Sequence, residues 1–163
     1  MMKQASQNKV LRYGWLTLFL LTTALIIYFA AQPASISSEQ SGFFVNTIVG
    51  ILSWFGYVPS DPELANIAYL VRKLIGHFGL FMANGLFGYM AAFGWLKLKQ
   101  SWKYLLISIT ASILLAIGSE TIQLFVSGRA GAFDDVMINM AGAMVGITFV
   151  YWLTNRIQGV KKI

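Results

Sequence analysis

The stretch ETIQLFVSGRAGAFDDVMINMAGAMVG, residues 120–146, decides the fold of this chain. It places charged and amide side chains at or inside the ends of two apolar segments: Glu120, Gln123, Arg129, Asp134, Asp135 and Asn139. A charge at the centre of a membrane helix costs about 2.5–3.5 kcal/mol on insertion scales, so such groups usually face a bundle interior and serve a site. The stretch therefore predicts an integral membrane protein with a polar centre.

The composition agrees with a membrane protein. Of the 163 residues, 57% are hydrophobic and 11% are charged, whereas an ordinary soluble domain is about 25% charged. Cysteine is absent, which excludes a disulfide framework, a thiolate metal site and a cysteine nucleophile. The net charge is +6, but no basic run is longer than two residues. We therefore predict no nucleic-acid partner.

Four apolar segments are long enough to cross a bilayer core, which takes about 20 residues. They cover residues 14–31, 74–96, 104–126 and 136–154. A fifth segment, residues 42–58, is shorter and more polar, and we expect an interfacial or re-entrant helix there. Ser60 and Glu63 have the spacing of a capping box, which predicts a short interfacial helix over residues 61–72. The predicted fold is a single all-α domain, residues 1–163, with a bundle of four transmembrane helices.

The distribution of basic residues predicts the orientation. With a cytoplasmic N-terminus, four crossings leave only Arg72, Lys73 and Arg129 outside, three of the twelve Lys and Arg. A fifth crossing by residues 42–58 would give six on each side and remove the positive-inside bias. We therefore predict four spans with both termini in the cytoplasm. The nine inner residues are Lys3, Lys9, Arg12, Lys97, Lys99, Lys103, Arg156, Lys161 and Lys162.

Polar residues and glycines recur at helical spacing on three of the predicted spans. Each stripe has its most polar members toward the outer end, which predicts one shared pocket below the outer headgroups. Glycines on these faces allow helices to approach closely. The stripes are Lys73, His77, Phe81, Asn84 and Gly88; Glu120 and Gln123; and Asp135, Asn139, Gly142 and Gly146.

The predicted ligand-binding residues combine these polar side chains with a basic rim suited to phosphate or carboxylate. They are Arg72, Lys73, His77, Glu120, Gln123, Arg129, Asp135 and Asn139. His77, Glu120 and Asp135 are candidates for a catalytic role, which the sequence alone does not assign. No helix carries a His-x-x-x-His or Glu-x-x-His pair, and basic residues are adjacent, so we predict neither a metal nor another cofactor.

Structural roles are an alternative for several of these side chains. Asn139 and Gln123 could simply hydrogen-bond between helices, and Glu120 could form a structural ion pair with Lys73 or Arg129. Asp134 has the features of a helix cap. Asn84 lies deeper in its predicted span than the other polar residues, which favours a packing role.

The chain resembles the VanZ-like family, named for a teicoplanin-resistance protein, over nearly its whole length. Phe81 stands where the family pattern has Tyr. The resemblance implies a bacterial cytoplasmic-membrane protein linked to low-level glycopeptide resistance or envelope homeostasis, and it supplies no reaction. The motifs are Arg72-Lys73-Leu74-Ile75-Gly76-His77, Glu120 with Gln123, Gly128-Arg129, Asp135, Asn139, Gly142, Gly146 and the polar loop Ser37-Ser38-Glu39-Gln40-Ser41.

Three functional classes follow from the residues and the resemblance together. The favoured class is a protein that binds or modulates a lipid or lipid-linked envelope component at the outer face. Its partners would be membrane lipids, with a lipid-linked cell-wall precursor or a glycopeptide as further partners. The alternatives are an enzyme acting on a lipid phosphate headgroup, with His77 or Glu120 as general acid or base, and a small lipid transporter. Four spans leave little room for alternating access.

Overall fold

The structure is a computed structural model that describes residues 9–96, 98 and 100–159, with side chains described as far as residue 156. This part of the chain forms six α-helices and one π-helical segment, here called the π segment. In chain order they are α1 (Lys9–Ala30), α2 (Ala34–Trp54), α3 (Asp61–Val71), the π segment (Arg72–Gly79), α4 (Leu80–Trp95), α5 (Ser101–Gln123) and α6 (Phe133–Gly159).

Within the described part of the chain, four helical stretches are long and apolar enough to cross a membrane: Lys9–Ala30, Asp61–Trp95, Ser101–Gln123 and Phe133–Arg156. The predicted all-α fold with four spans is confirmed at this level. Among the basic residues on which the predicted orientation depends, Lys3, Lys97, Lys99, Lys161 and Lys162 lie outside the described residues.

The second span differs from the prediction because α3, the π segment and α4 form one continuous helical path. We expected a helix over residues 61–72 and a separate span from residue 74. The pair Arg72-Lys73 suggested the boundary, but charged residues do not end a helix as proline does. The predicted start is correct, since the Ser60 backbone N–H donates to Glu63 Oε2 over 2.8 Å and Pro62 lies in the first turn.

Helix α2 also differs in extent from the predicted segment, residues 42–58. It begins at Ala34, directly after Pro33, and ends at Trp54. None of its residues is buried. Its backbone is fixed at the start, where the Ala34 N–H donates to the Ser127 carbonyl over 3.3 Å.

The predicted close approach of helices occurs between α6 and the second span. A Cβ on Gly142 would collide with the Phe78 carbonyl oxygen, and one on Gly146 with the Met82 carbonyl oxygen. From the other side, a Cβ on Gly85 would lie 2.6 Å from the Ala143 carbonyl oxygen. Backbone therefore packs directly against backbone along this seam, as in other membrane helix pairs with small residues at the interface.

The predicted stripe on the second span is divided between two neighbours. Asn84 faces α1, where its Nδ2 donates to Thr22 Oγ1 and Thr23 Oγ1 over 2.9 Å each, and Gly88 lies against Phe19 of α1. His77 instead contacts Asn139 of α6. A π turn holds more residues than an α turn, so residues after the π segment are rotated relative to an uninterrupted α-helix. The packing role expected for Asn84 is what the structure shows.

Candidate functional site

A cavity of about 280 Å³ lies near the ends of the helices that carry the polar stripes. Every helix, the π segment and the loop over residues 124–132 contribute to its wall. By surface area most of the wall is apolar, with contributions from Phe29, Phe44, Ile75 and Phe81. The polar members of the wall are Ser37, Gln40, Ser41, Arg72, His77, Ser119, Glu120, Gln123, Arg129 and Asn139.

Glu120 is the centre of a hydrogen-bond network at one side of this cavity. The residue is only 5% exposed. Its Oε1 accepts from Gln123 Nε2 over 3.0 Å and from Asn139 Nδ2 over 3.2 Å, and its Oε2 accepts from the Ala132 backbone N–H over 3.4 Å. The carboxylate thus joins α5, α6 and the loop between them.

His77 lies between two carboxylates on neighbouring helices. Its Nδ1 is 3.1 Å from Asn139 Oδ1 and 3.7 Å from Glu120 Oε1. On the opposite side of the ring, Nε2 is 3.8 Å from Asp135 Oδ2, which is an electrostatic contact and too long for a hydrogen bond. The histidine comes from the π segment, the kind of helical irregularity that often occurs at functional sites.

Lys73 is neutralised by the first turn of α6. Its Nζ donates to Asp134 Oδ2 over 2.9 Å and also to Asp135. Carboxylates of the polar centre thus pair with a basic residue, as the cost of an unpaired buried charge requires. Helix α6 begins at Phe133, so Asp134 lies inside the first turn and not at the cap position that we expected. The cavity wall includes neither Lys73 nor Asp135.

Arg129 reaches the cavity from a loop that glycine makes possible. Gly128 adopts φ +71°, a left-handed conformation, and its neighbour Arg129 donates from Nε to Gln123 Oε1 over 3.0 Å. Burial lowers the pKa of the Arg129 guanidinium, while the Glu120 carboxylate nearby opposes that shift. Arginine stays protonated in proteins, so a partly dehydrated cation faces the cavity.

The alternative of a structural ion pair between Glu120 and Lys73 or Arg129 is not what the structure shows. Within the part of the chain that the structure describes, no such pair lies within 4.0 Å. Lys73 is occupied by two aspartates instead, and Gln123 stands between Arg129 and Glu120. The amides Gln123 and Asn139 therefore connect the charged groups, in addition to joining helices.

The residues best placed to hold a metal are His77, Glu120 and Asp135, whose potential ligand atoms lie within 4.8 Å of one another. The histidine faces Glu120 with Nδ1 but Asp135 with Nε2, so a single ring nitrogen does not serve both carboxylates. Lys73 also already pairs with Asp135. The arrangement suits a hydrogen-bond network better than a metal centre.

All eight sequence-predicted site residues thus lie in or beside one polar cluster. What sequence reasoning missed is the wall formed by α1 and the first half of α2, including Ile26, Phe29 and Phe44. Hydropathy gave no signal for this wall, because apolar side chains on these helices fit a lipid-facing or interfacial position equally well.

Comparison with known proteins identifies the family. The model of the VanZ/LLP1 family matches residues 15–154, which include the cavity and the network around Glu120. The chain therefore belongs to the VanZ/LLP1 family, and it is a membrane protein of that family. No curated protein and no solved structure matches the chain.

Proposed function

We propose that this protein binds a lipid, or a lipid-linked component of the bacterial cell envelope, by a phosphate group that enters the cavity. By holding that lipid it would modulate its availability at the outer face of the cytoplasmic membrane. A contribution to low-level glycopeptide (teicoplanin) resistance is part of this proposal, since such resistance depends on the cell envelope.

The observation that carries the proposal is a pair of arginines on one cavity wall without a carboxylate partner. Among the described residues, neither Arg72 nor Arg129 has an Asp or Glu oxygen within 4.0 Å. The guanidinium group is planar and offers parallel N–H donors that match phosphate oxygens. A phosphate between Arg72 and Arg129 would supply the close negative partner that neither guanidinium has within 4.0 Å among the described residues.

The shape of the cavity favours a lipid headgroup. Its volume of about 280 Å³ is just below the range of about 300–1,000 Å³ usual for small-molecule pockets. A phosphate and its nearest atoms fit such a space, whereas two acyl chains do not. The apolar walls from Phe29, Phe44 and Ile75 are suited to the first part of a chain that continues into the bilayer.

We further propose that the cavity faces the outer leaflet, that both termini are cytoplasmic and that α2 lies at the level of the outer headgroups. The nine-to-three distribution of Lys and Arg supports this orientation. Helix α2 is not one of the four stretches that qualify as spans. Large aromatic side chains on and after it are 72–84% exposed, namely Phe43, Trp54 and Phe55, and aromatic residues favour the membrane interface.

Lipid binding to the purified protein tests the proposal. The protein would be reconstituted in phosphatidylcholine nanodiscs with a small fraction of phosphatidic acid, and bound lipid would be measured by native mass spectrometry. Replacing Arg72 or Arg129 with Ala should weaken binding at least about tenfold, since hydrogen bonds to charged groups contribute about 1.5–3 kcal/mol each. Inorganic phosphate would be added as a competitor of phosphatidic acid. If it binds more weakly than phosphatidic acid does, the lipid part contributes to the affinity.

Arg156→Ala is the matched control. Arg156 is an exposed residue near the opposite end of α6, where its guanidinium lies over the Trp152 ring. The Arg156→Ala protein should bind phosphatidic acid as the unmodified protein does. Equal binding by all the arginine variants would refute the proposed site.

A further inference from the structure

In the hydrogen bonds around Glu120, the chemistry of each group determines which atom donates and which atom accepts. Arg129 Nε can only donate, so the Gln123 side chain must present its oxygen to Arg129 and its nitrogen to Glu120. The Ala132 backbone N–H likewise donates to the second oxygen of Glu120. Glu120 is therefore the common acceptor of the network.

This direction extends through Asn139 to the histidine. Asn139 donates its amide nitrogen to Glu120 Oε1 over 3.2 Å, which leaves its amide oxygen 3.1 Å from His77 Nδ1. An amide oxygen can only accept, so Nδ1 must carry the hydrogen. The neutral ring then has its lone pair on Nε2.

The Nε2 side of the ring is equipped to take up a proton. Within the described residues Nε2 makes no hydrogen bond, and it lies 3.8 Å from Asp135 Oδ2. Lys73 pairs with the other oxygen of this carboxylate, so Asp135 Oδ2 offers part of its negative charge to the imidazolium that forms when Nε2 gains a proton. An acceptor that fixes the Nδ1–H tautomer, together with a free Nε2, is the arrangement by which a histidine acts as a general base.

We propose that His77 Nε2 is the general base of a hydrolytic reaction on a lipid phosphomonoester bound in the cavity. The inference rests on the proposed phosphate binding and extends it to a reaction. His77, Arg72 and Arg129 all belong to the same cavity wall, so a phosphate held by the arginines would share the cavity with the histidine ring, and the attacking water would lie between the phosphate and Nε2.

The reaction balances with water as the only co-reactant. A water oxygen attacks phosphorus while its proton moves to Nε2, and a new P–O bond forms. The bond between phosphorus and the lipid oxygen breaks on the opposite side of phosphorus, where the leaving oxygen takes a proton from solvent water, and Nε2 releases its own proton to solvent. The products are the lipid alcohol and inorganic phosphate, and the histidine returns to its neutral form. Arg72 and Arg129 would stabilise the charge on the phosphoryl oxygens during transfer.

The tautomer can be observed directly because His77 is the only histidine of the chain. Protein labelled with ¹⁵N-histidine, purified without a histidine tag and placed in phosphatidylcholine nanodiscs, gives one pair of ring nitrogen signals. We expect a neutral ring with the hydrogen on Nδ1 near pH 7, and loss of this preference in Asn139→Ala. A hydrogen on Nε2, or a doubly protonated ring, would overturn the proposal.

Activity is measured in the same nanodiscs with phosphatidic acid as the probe, by release of inorganic phosphate. His77→Asn keeps a side-chain N–H near the position of Nδ1 but has no base. It should lower the rate at least about 100-fold, the usual contribution of a general base, while it still binds phosphatidic acid. Arg156→Ala should release phosphate at the rate of the unmodified protein.

The outcomes separate this inference from lipid binding. Binding of phosphatidic acid that depends on Arg129 but gives no phosphate release would overturn the reaction and leave the proposed function in place. Release that is unchanged in His77→Asn would also overturn it. Absence of any binding of phosphatidic acid would refute both.

Discussion

Asn139 of α6 donates a hydrogen bond to Glu120 of α5 over 3.2 Å, and both side chains are buried. The same amide contacts His77 through its oxygen, so one side chain links three of the four spans. All three linked residues belong to the cavity wall, as does Arg129. Stability of the bundle and geometry of the site therefore depend on the same contacts.

The first prediction concerns the stability of this network. Glu120→Leu removes the acceptor of Gln123, Asn139 and the Ala132 N–H. A buried donor without an acceptor costs about 1–3 kcal/mol, so the free energy of unfolding should fall by at least about 3 kcal/mol. Glu120→Gln should cost less because it keeps one acceptor oxygen. Denaturation in detergent micelles measures both, with the exposed Glu39→Gln as an unaffected control.

The second prediction concerns orientation in the membrane. The chain has no cysteine, so a single cysteine at Ser60 or at Gln100 is the only labelled site in each variant. Both positions are exposed and lie at opposite ends of the second span. A membrane-impermeant reagent applied to intact cells should label position 60 and not position 100. The reverse pattern would mean that the cavity faces the cytoplasm.

The third prediction distinguishes the shape of the Arg129 side chain from its charge. Lysine keeps the positive charge but lacks the Nε–H that reaches Gln123 and the planar pair of donors that matches phosphate. Arg129→Lys should therefore weaken phosphatidic acid binding about tenfold, a loss of about 1.4 kcal/mol. The comparison is Arg156→Lys, which should bind normally. Full binding by Arg129→Lys would show that charge alone is sufficient.

The sequence predicts most of the spans because hydropathy and the helical period are local properties. It also predicts the convergence of the polar stripes, since residues four and three apart share a helix face. It does not predict the π segment, where the Phe78 carbonyl packs directly against Gly142 of α6, a contact between residues that are far apart in the sequence. For the same reason, the pairing of Lys73 with Asp134 and Asp135, and not with Glu120, could not be read from spacing. The coverage of the cavity by α2 depends on a long-range contact at Ser127, which has no signal in the sequence.

The fourth prediction separates a packing amide from the site. Asn84 is 1% exposed, and among the described residues it donates only to α1, namely to the Thr22 and Thr23 hydroxyls and more weakly to the Phe19 carbonyl. Hydrogen bonds between membrane helices contribute about 0.6 kcal/mol on average and up to about 1.7. Asn84→Ala should therefore lower the free energy of unfolding by about 1–2 kcal/mol and leave lipid binding of the folded protein unchanged.

The control for Asn84→Ala is Thr121→Ala. The Thr121 hydroxyl is exposed and bonds only to the Ile117 carbonyl of its own helix, so its removal should have little effect on unfolding. A selective loss of lipid binding in folded Asn84→Ala protein would place Asn84 in the site, contrary to this prediction.

The last prediction uses two glycines with opposite surroundings. A Cβ at Gly146 would overlap the Met82 carbonyl oxygen, which is rigid backbone of α4, so Gly146→Ala must push α6 away from the second span. Overpacking of this kind costs about 1–3 kcal/mol. Separation of α6 from the second span should also disturb the network around His77, because that network joins the second span to α6. We therefore expect lower stability and weaker phosphatidic acid binding together.

Gly118→Ala is the matched substitution on α5, where a Cβ meets nothing within 4 Å. Alanine favours a helix interior over glycine by about 0.5–1 kcal/mol, so this variant should be as stable as the unmodified protein or slightly more stable. Thermal unfolding in detergent and lipid binding in nanodiscs, measured on both variants, decide the point. Both variants replace a helical glycine with alanine, so they differ only in the space around the new Cβ. A Gly146→Ala protein as stable as the Gly118→Ala protein would therefore show that α6 and α4 can separate without cost.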